Sequence, residues 1–172
     1  RVLEDKGDRI VYVNGDGVMC ESPKDGHSTI PRYIGSVIET PDDWKRVKEE
    51  QFDRTRPERK PNLAWYDSIC RDDRDYPVGI SCGSLIGKIR DMLTVEGLSY
   101  AVYDYPDMVE DMVETVTLLV EDYLDAVLPR YHFDFATGWE DICCKNGPLV
   151  SMDFFRSVIY PRYKRIGDKL HA

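Results

Sequence analysis

The sequence has no run of 18 apolar residues, no Cys-x-x-Cys spacing, and only three histidines, His27, His132 and His171, scattered along the chain. Each shortage removes a class of protein. A hydrocarbon core takes about 20 consecutive apolar residues to cross, so no transmembrane helix and no membrane partner are expected. Without a His–Cys ligand spacing no metal is supported. The five cysteines (Cys20, Cys70, Cys82, Cys143 and Cys144) are odd in number. Adjacent Cys143 and Cys144 are a poor disulfide pair, because neighbouring Cβ atoms point apart. Free thiols in a cytoplasmic protein are the simpler reading, with Cys143 and Cys144 packing as small hydrophobes. Positive charge is also short: 23 Lys and Arg against 32 Asp and Glu leave a net −9. That field repels phosphate, so nucleic acid is not an expected partner. There are no repeats or low-complexity segments. The chain starts at Arg1 without Met or signal peptide and stops at Ala172 directly behind a helical pattern. It is expected to be a piece of something longer.

What remains is ordinary for a globular domain. The 172 residues, 42% hydrophobic, suit about one domain with its own core. In "RIVYVNGDGVMC" (9–20), Asn14-Gly15 and Asp16-Gly17 interrupt an alternating pattern and signal a β-hairpin, with a further loop around Lys24–His27. "ETPDDWKRVKEEQ" opens a helix: Thr40 as N-cap, Pro41 in the first turn, Asp42 and Asp43 against the positive end of the dipole. The charge-dense stretch 52–75, including "RTRPERKP", reads as a solvated connection ending in a short helix near Ala64–Cys70. "YPVGISCGS" (76–84) suits a buried parallel strand. Helical segments follow at 85–93 and 95–103. A long helix then runs from "DYPDMVEDM" to about Leu128, its stripe Met108, Met112, Val116, Leu119, Tyr123, Val127 reading as core. "HFDFATG" (132–138) reads as a second strand, and a last helix spans about Asp153 to Leu170, capped by Ser151 and kinked or split at Pro161. The order predicts an α/β protein with a parallel sheet. The Gly83-Ser84 turn opens a helix, so its N–H groups could receive a carboxylate or phosphate.

Four blocks, "STIPRYIGSVIETPDDW", "DYPVGISCGSLIGKIRDMLTVEGL", "YDYPDMVEDM" and "WEDICCKNGPLVSMDFFRSVIYPRYKRI", together resemble the uroporphyrinogen decarboxylase family, closest to its decarboxylase-like members. The likeness covers nearly the whole chain. It implies a TIM-type barrel, so residues 1–172 are expected to form the interior portion of one such domain: a partial (β/α)8 barrel with an N-terminal β-hairpin insertion. A full barrel takes about 250 residues, which would place the flanking strands upstream of Arg1 and downstream of Ala172. A homodimer covering the open face is a further expectation.

In such a barrel, reactive groups sit at the carboxyl ends of strands. By that rule Glu140 and Asp141 are the candidate catalytic residues, and Ser81, Cys82, Gly83, Ser84, Arg90 and Trp139 the candidates for substrate binding. The resemblance implies a tetrapyrrole substrate and carboxy-lyase chemistry without a cofactor. Two positions depart from it. Where those decarboxylases carry a tyrosine after the glycine-containing strand end, this chain has Arg90 or Asp91; where a serine follows an acid on the next strand, it has Asp141 after Glu140. A second branch of the superfamily passes methyl groups to or from a corrinoid or coenzyme M, several members using zinc, and it stays open as an alternative, as does a non-catalytic truncated paralogue. For the residues themselves the plainer alternatives are that Glu140 and Asp141 cap or position a loop, and that Arg90 pairs with Asp91, Glu96 or Asp104.

Overall fold

A computed structural model of the chain describes residues 1–15, 17–27 and 31–172. Asp16 of the Asp16-Gly17 pair, and Ser28, Thr29 and Ile30, which begin the first resemblance block, lie outside the described residues.

Four strands open the chain: β1 (Val2–Asp5), β2 (Arg9–Val13), β3 (Met19–Pro23) and β4 (Arg32–Gly35). They form one antiparallel sheet in the order β1-β2-β3-β4. The expected hairpin is its centre, with Val13 opposite Met19 and Arg9 opposite Pro23. The Asn14 side chain closes the turn by accepting the Val18 N–H at 2.9 Å. A hairpin alone is marginal in water, and the two added strands give it a face to bury. Val11, Val18 and Cys20 are buried. Glu21 is drawn toward Lys6 at 3.2 Å, Arg9 at 3.6 Å and Arg32 at 3.7 Å.

Helix α1 (Pro41–Gln51) begins in a reciprocal capping box: Asp43 N–H donates to Thr40 Oγ1 at 3.3 Å, and Thr40 N–H to Asp43 Oδ2 at 3.1 Å. Trp44 and Val47 turn inward. The charged connection behind α1 is anchored: Arg54 grips Asp122 with two bonds of 2.6 Å. It carries a 3₁₀ turn at Pro57–Arg59 and leads into α2 (Leu63–Ile69).

Helices α3 (Ile86–Asp104) and α4 (Pro106–Val127) lie between the two parallel strands in sequence, β5 (Gly79–Ser81) and β6 (Phe135–Thr137). α3 breaks at Thr94, whose φ of 69° and ψ of 165° are not helical. A β-branched residue at positive φ is strained, and two bonds hold it. Thr94 Oγ1 accepts the Gly97 N–H at 3.2 Å, and Ser36 Oγ donates to the Met92 carbonyl at 2.8 Å. On α4, Met108, Val109, Met112, Val113, Val116, Leu124 and Val127 are buried in the main core, together with Ile86, Ile89 and Met92 of α3. Burying each such side chain contributes about 1.5–3 kcal/mol before entropy is counted.

The C-terminal part holds a two-residue hairpin, β7 (Cys143–Cys144) with β8 (Gly147–Pro148), then α5 (Met152–Phe154), a π turn over Phe155–Ile159 and α6 (Tyr160–His171). Ser151 caps α5 by accepting the Phe154 N–H at 3.1 Å. Pro161 lacks the N–H needed to continue a regular ladder, and the turn before it widens. α6 docks on α4 through charge: Arg162 and Arg165 both reach Glu114, Arg162 also Glu110, and Arg165 also Glu121.

The barrel expectation is overturned. Among the described residues the molecule is a small mixed α/β protein with a four-stranded antiparallel sheet, a two-stranded parallel pair and no closed barrel. The apolar runs of the N-terminal part are spent on antiparallel neighbours, so the hairpin is part of a sheet rather than an insertion in a barrel. The second strand of the parallel pair is not buried: all three residues of β6 are exposed, Phe135 by 50%. Among the described residues no helix is long and apolar enough to cross a membrane.

Candidate functional site

The parallel pair delivers two turns to the same end. Gly79, Ile80 and Ser81 pair with Phe135, Ala136 and Thr137. The pairing continues past the strands, with Cys82 N–H donating to Thr137 O at 2.7 Å and Trp139 N–H to Gly83 O at 3.0 Å. Gly83, at φ +64°, takes the left-handed turn that lets the chain leave β5 and enter α3. Ser81–Ser84 and Gly138–Asp141, named from the sequence, therefore stand side by side at the carboxyl ends of the strands, where ligands enter open α/β sheets.

The Glu140 carboxylate closes this junction. α3 starts without a side-chain cap of its own, which leaves its first N–H groups without partners. Glu140 supplies the acceptors: Oε1 takes the N–H groups of Leu85 at 2.7 Å and Ile86 at 3.0 Å, and Oε2 takes Gly87 N–H at 2.9 Å and Ser84 Oγ–H at 3.0 Å. The Tyr163 hydroxyl of α6 donates to Oε1 as well. Burial, and then the bond to Glu140, push the Tyr163 phenol far above its ordinary value, so it remains a donor. The anion site expected at the Gly83-Ser84 turn is thus present, and the protein's own Glu140 fills it. Both oxygens face into the protein, which makes Glu140 a helix cap rather than a free acid in the crevice.

Asp141 is placed differently. Its side chain is 74% exposed and its Oδ2 lies 3.4 Å from Arg90 Nη1. Arg90 itself is largely buried and is shared among Asp91 Oδ1 at 2.9 Å, the Asp141 carbonyl at 3.2 Å and the Trp139 ring at 5.9 Å. Burial works against its charge, and the bonds and charges of Asp91 and Asp141 together outweigh that, so its pKa lies above the ordinary value. Arg90 makes a structural ion pair in this arrangement. Trp139 lies against Gly87, where an added Cβ would stand 2.5 Å from its ring.

On the other side of the β5 turn, Ser81, Cys82 and Gly83 line a cavity of about 430 Å³. Its far wall is the Val116, Leu119, Val120 and Tyr123 stretch of α4, and Glu58 and Arg59 of the 3₁₀ turn complete it. Burial pushes the Cys82 thiol up, away from thiolate. Ser81 Oγ accepts the Gly83 N–H at 3.3 Å. The cavity is chiefly apolar with one cation, Arg59, at its edge.

Sequence reasoning named the turn and missed the pocket opposite it. Arg59 was hidden in a charge run that reads as solvated, and Tyr163 belongs to a helix with no local mark of contact with residue 140. Cys143 and Cys144, expected to pack, are exposed on the β7–β8 hairpin. Among the described residues no group of three or more His, Cys, Asp or Glu side chains is placed to hold a metal. No family model, curated protein or solved structure matches the chain.

Proposed function

We propose that this chain contributes a binding site for a carboxylated tetrapyrrole, in an enzyme of the uroporphyrinogen-decarboxylase-like kind, at the carboxyl ends of β5 and β6. The observation that carries the reading is the cavity beside the Ser81–Gly83 turn. It sets an apolar wall from α4 against the end of a parallel strand pair, with Arg59 as its one cationic and Glu58 as its one anionic group. A site of this make-up accepts an apolar ring edge bearing an acid arm. The four blocks of sequence resemblance point to the same substrate class. In this reading the cavity takes one pyrrole edge, not a whole macrocycle. Trp139, 44% exposed, offers a ring face outside it. Asp141 is the acid whose carboxylate faces outward, and it holds a protonated ring nitrogen by charge. Loss of a carboxyl group as CO2 leaves the electron pair of the broken C–C bond on the side-chain carbon, and solvent water supplies the proton which that carbon takes up.

The test is titration of the chain with coproporphyrin III, followed by the Soret band, and incubation with uroporphyrinogen, followed by chromatography of the oxidised porphyrins. Saturable binding and products with fewer carboxyl groups are expected. An unperturbed Soret band at tens of micromolar ligand overturns the macrocycle reading. Binding without loss of carboxyl groups overturns the carboxy-lyase step for this chain.

A further inference from the structure

Three arginines of the connection between α1 and α2 have separate tasks. Arg54 is committed to Asp122 of α4 by two bonds of 2.6 Å. Arg56 donates to the Glu50 carbonyl. Arg59 donates from Nε to the Asp53 carbonyl at 3.0 Å, and its guanidinium lies 5.7 Å from the centre of the Phe52 ring. Its Nη1 and Nη2 make no hydrogen bond or ion pair among the described residues, and Arg59 lines the cavity that Ser81, Cys82 and Gly83 also line.

We infer that Arg59 is the carboxylate anchor of this cavity. It orients a substrate acid group while Val116, Leu119 and Val120 receive the apolar body next to it. The inference rests on the reading above for the place where the ligand enters, and it adds the residue that selects the ligand's charge. Three features support it. A guanidinium has five N–H donors in a fixed fork, and here Nε is tied down while the two-pronged end is left, which is the end that meets a carboxylate in two parallel bonds.

The anchor is also held before a ligand arrives. Phe52 under Arg59 packs edge-on against Trp44 at 5.4 Å. Trp44 Nε1–H donates to Asp111 Oδ2 at 2.6 Å on α4, the helix that forms the cavity's apolar wall. The cation and the wall therefore share one rigid support, so little side-chain freedom is left to lose on binding. Finally, the net charge of −9 disfavours anions at most of the surface. Arg59 makes no ion pair within 4 Å among the described residues, although Glu58 shares the cavity lining and the Asp53 carboxylate feels its charge, so its forked end is where such a protein can still accept an acid.

The experiment compares the unaltered chain with Arg59→Gln and Arg59→Lys, using 2-naphthoate as a small apolar carboxylate, its methyl ester as the uncharged control, and coproporphyrin III. Far-UV circular dichroism and a urea melt confirm that each variant is folded. Naphthoate is expected to bind the unaltered chain and to lose about tenfold or more in affinity in Arg59→Gln, as for loss of a charge-assisted bidentate contact. Arg59→Lys falls between, because it keeps the charge and loses the fork. The ester is expected to bind all three proteins equally and weakly.

The arms separate the two claims. If coproporphyrin binds the unaltered chain and Arg59→Gln equally well, the anchor is overturned and the macrocycle reading stands. Arg59-dependent naphthoate binding without porphyrin binding supports the anchor and overturns the macrocycle. Binding of neither compound overturns both.

Discussion

Replacing Glu140 with alanine tests the central reading of the site, since a catalytic acid and a helix cap predict opposite effects on stability. The carboxylate accepts three main-chain N–H groups of α3, the Ser84 hydroxyl and the Tyr163 hydroxyl. Ser84, Leu85, Ile86 and Gly87 are buried, so water cannot reach all the stranded donors. Loss of a cap alone costs about 1 kcal/mol. Hydrogen bonds to a charged group contribute about 1.5–3 kcal/mol, and five on one carboxylate do not add. Glu140→Ala is therefore expected to cost about 3–4 kcal/mol, and Glu140→Gln about 2 kcal/mol, since one oxygen remains while an NH2 group faces N–H donors.

For a chain of this size the alanine variant should melt about 6–15 °C lower. The assay is urea unfolding followed by far-UV circular dichroism, with Asp141→Ala alongside. Asp141 is exposed and should change stability by no more than about 0.5 kcal/mol. A Glu140→Ala protein as stable as Asp141→Ala would refute the cap and return Glu140 to the crevice.

Three further outcomes follow from the same geometry. Gly87→Ala places a Cβ 2.4 Å from Ser84 Oγ and 2.5 Å from the Trp139 ring; it should destabilise by about 1–3 kcal/mol and shift the emission attributable to Trp139, read as the difference from a Trp139→Phe control. The Glu114 carboxyl lies below its ordinary value of 4.5: burial pushes it up, but Arg165 and Arg162 outweigh that. A depressed folded value means its contribution is complete above about pH 4.5 and is lost as pH falls through the lower folded value, so acid unfolding should be less steep in Glu114→Gln below that pH. Cys143 and Cys144 are exposed while Cys20 and Cys82 are buried; a thiol reagent should modify the first two rapidly in the native protein and the buried two only on unfolding, as read by mass spectrometry.

What could be read from the sequence was what neighbours decide. Thr40, Pro41 and Asp43 fix the start of α1 within four residues, and the capping box forms there. The Asn14 turn and the break between residues 93 and 95 are local in the same sense. The destination of Glu140 is not, because its partners lie 53–56 residues earlier, at and just before the start of α3, and 23 residues later on α6. Nor is Arg54's use of Asp122, 68 residues away, which turns an apparently solvated charge run into one wall of a cavity. The barrel failed for a related reason. Short apolar runs look alike whether they pair parallel or antiparallel, and the four N-terminal strands chose one another. Adjacent cysteines in a short polar hairpin give no period from which to read burial.

The bonds across the strand ends bear on how any mutation there should be understood. Cys82 N–H to Thr137 O, Trp139 N–H to Gly83 O, and Glu140 to residues 84–87 join the two turns into one unit. Gly83 sits in the middle of that unit and also lines the cavity. Removing the Glu140 carboxylate should therefore displace the cavity wall even though Glu140 touches nothing inside it. A loss of binding in Glu140→Ala would not by itself make Glu140 a ligand contact. Comparison with Arg59→Gln separates the two kinds of effect: a cap that fails weakens the fold and every ligand together, whereas an anchor that is lost weakens only the ligands that carry an acid.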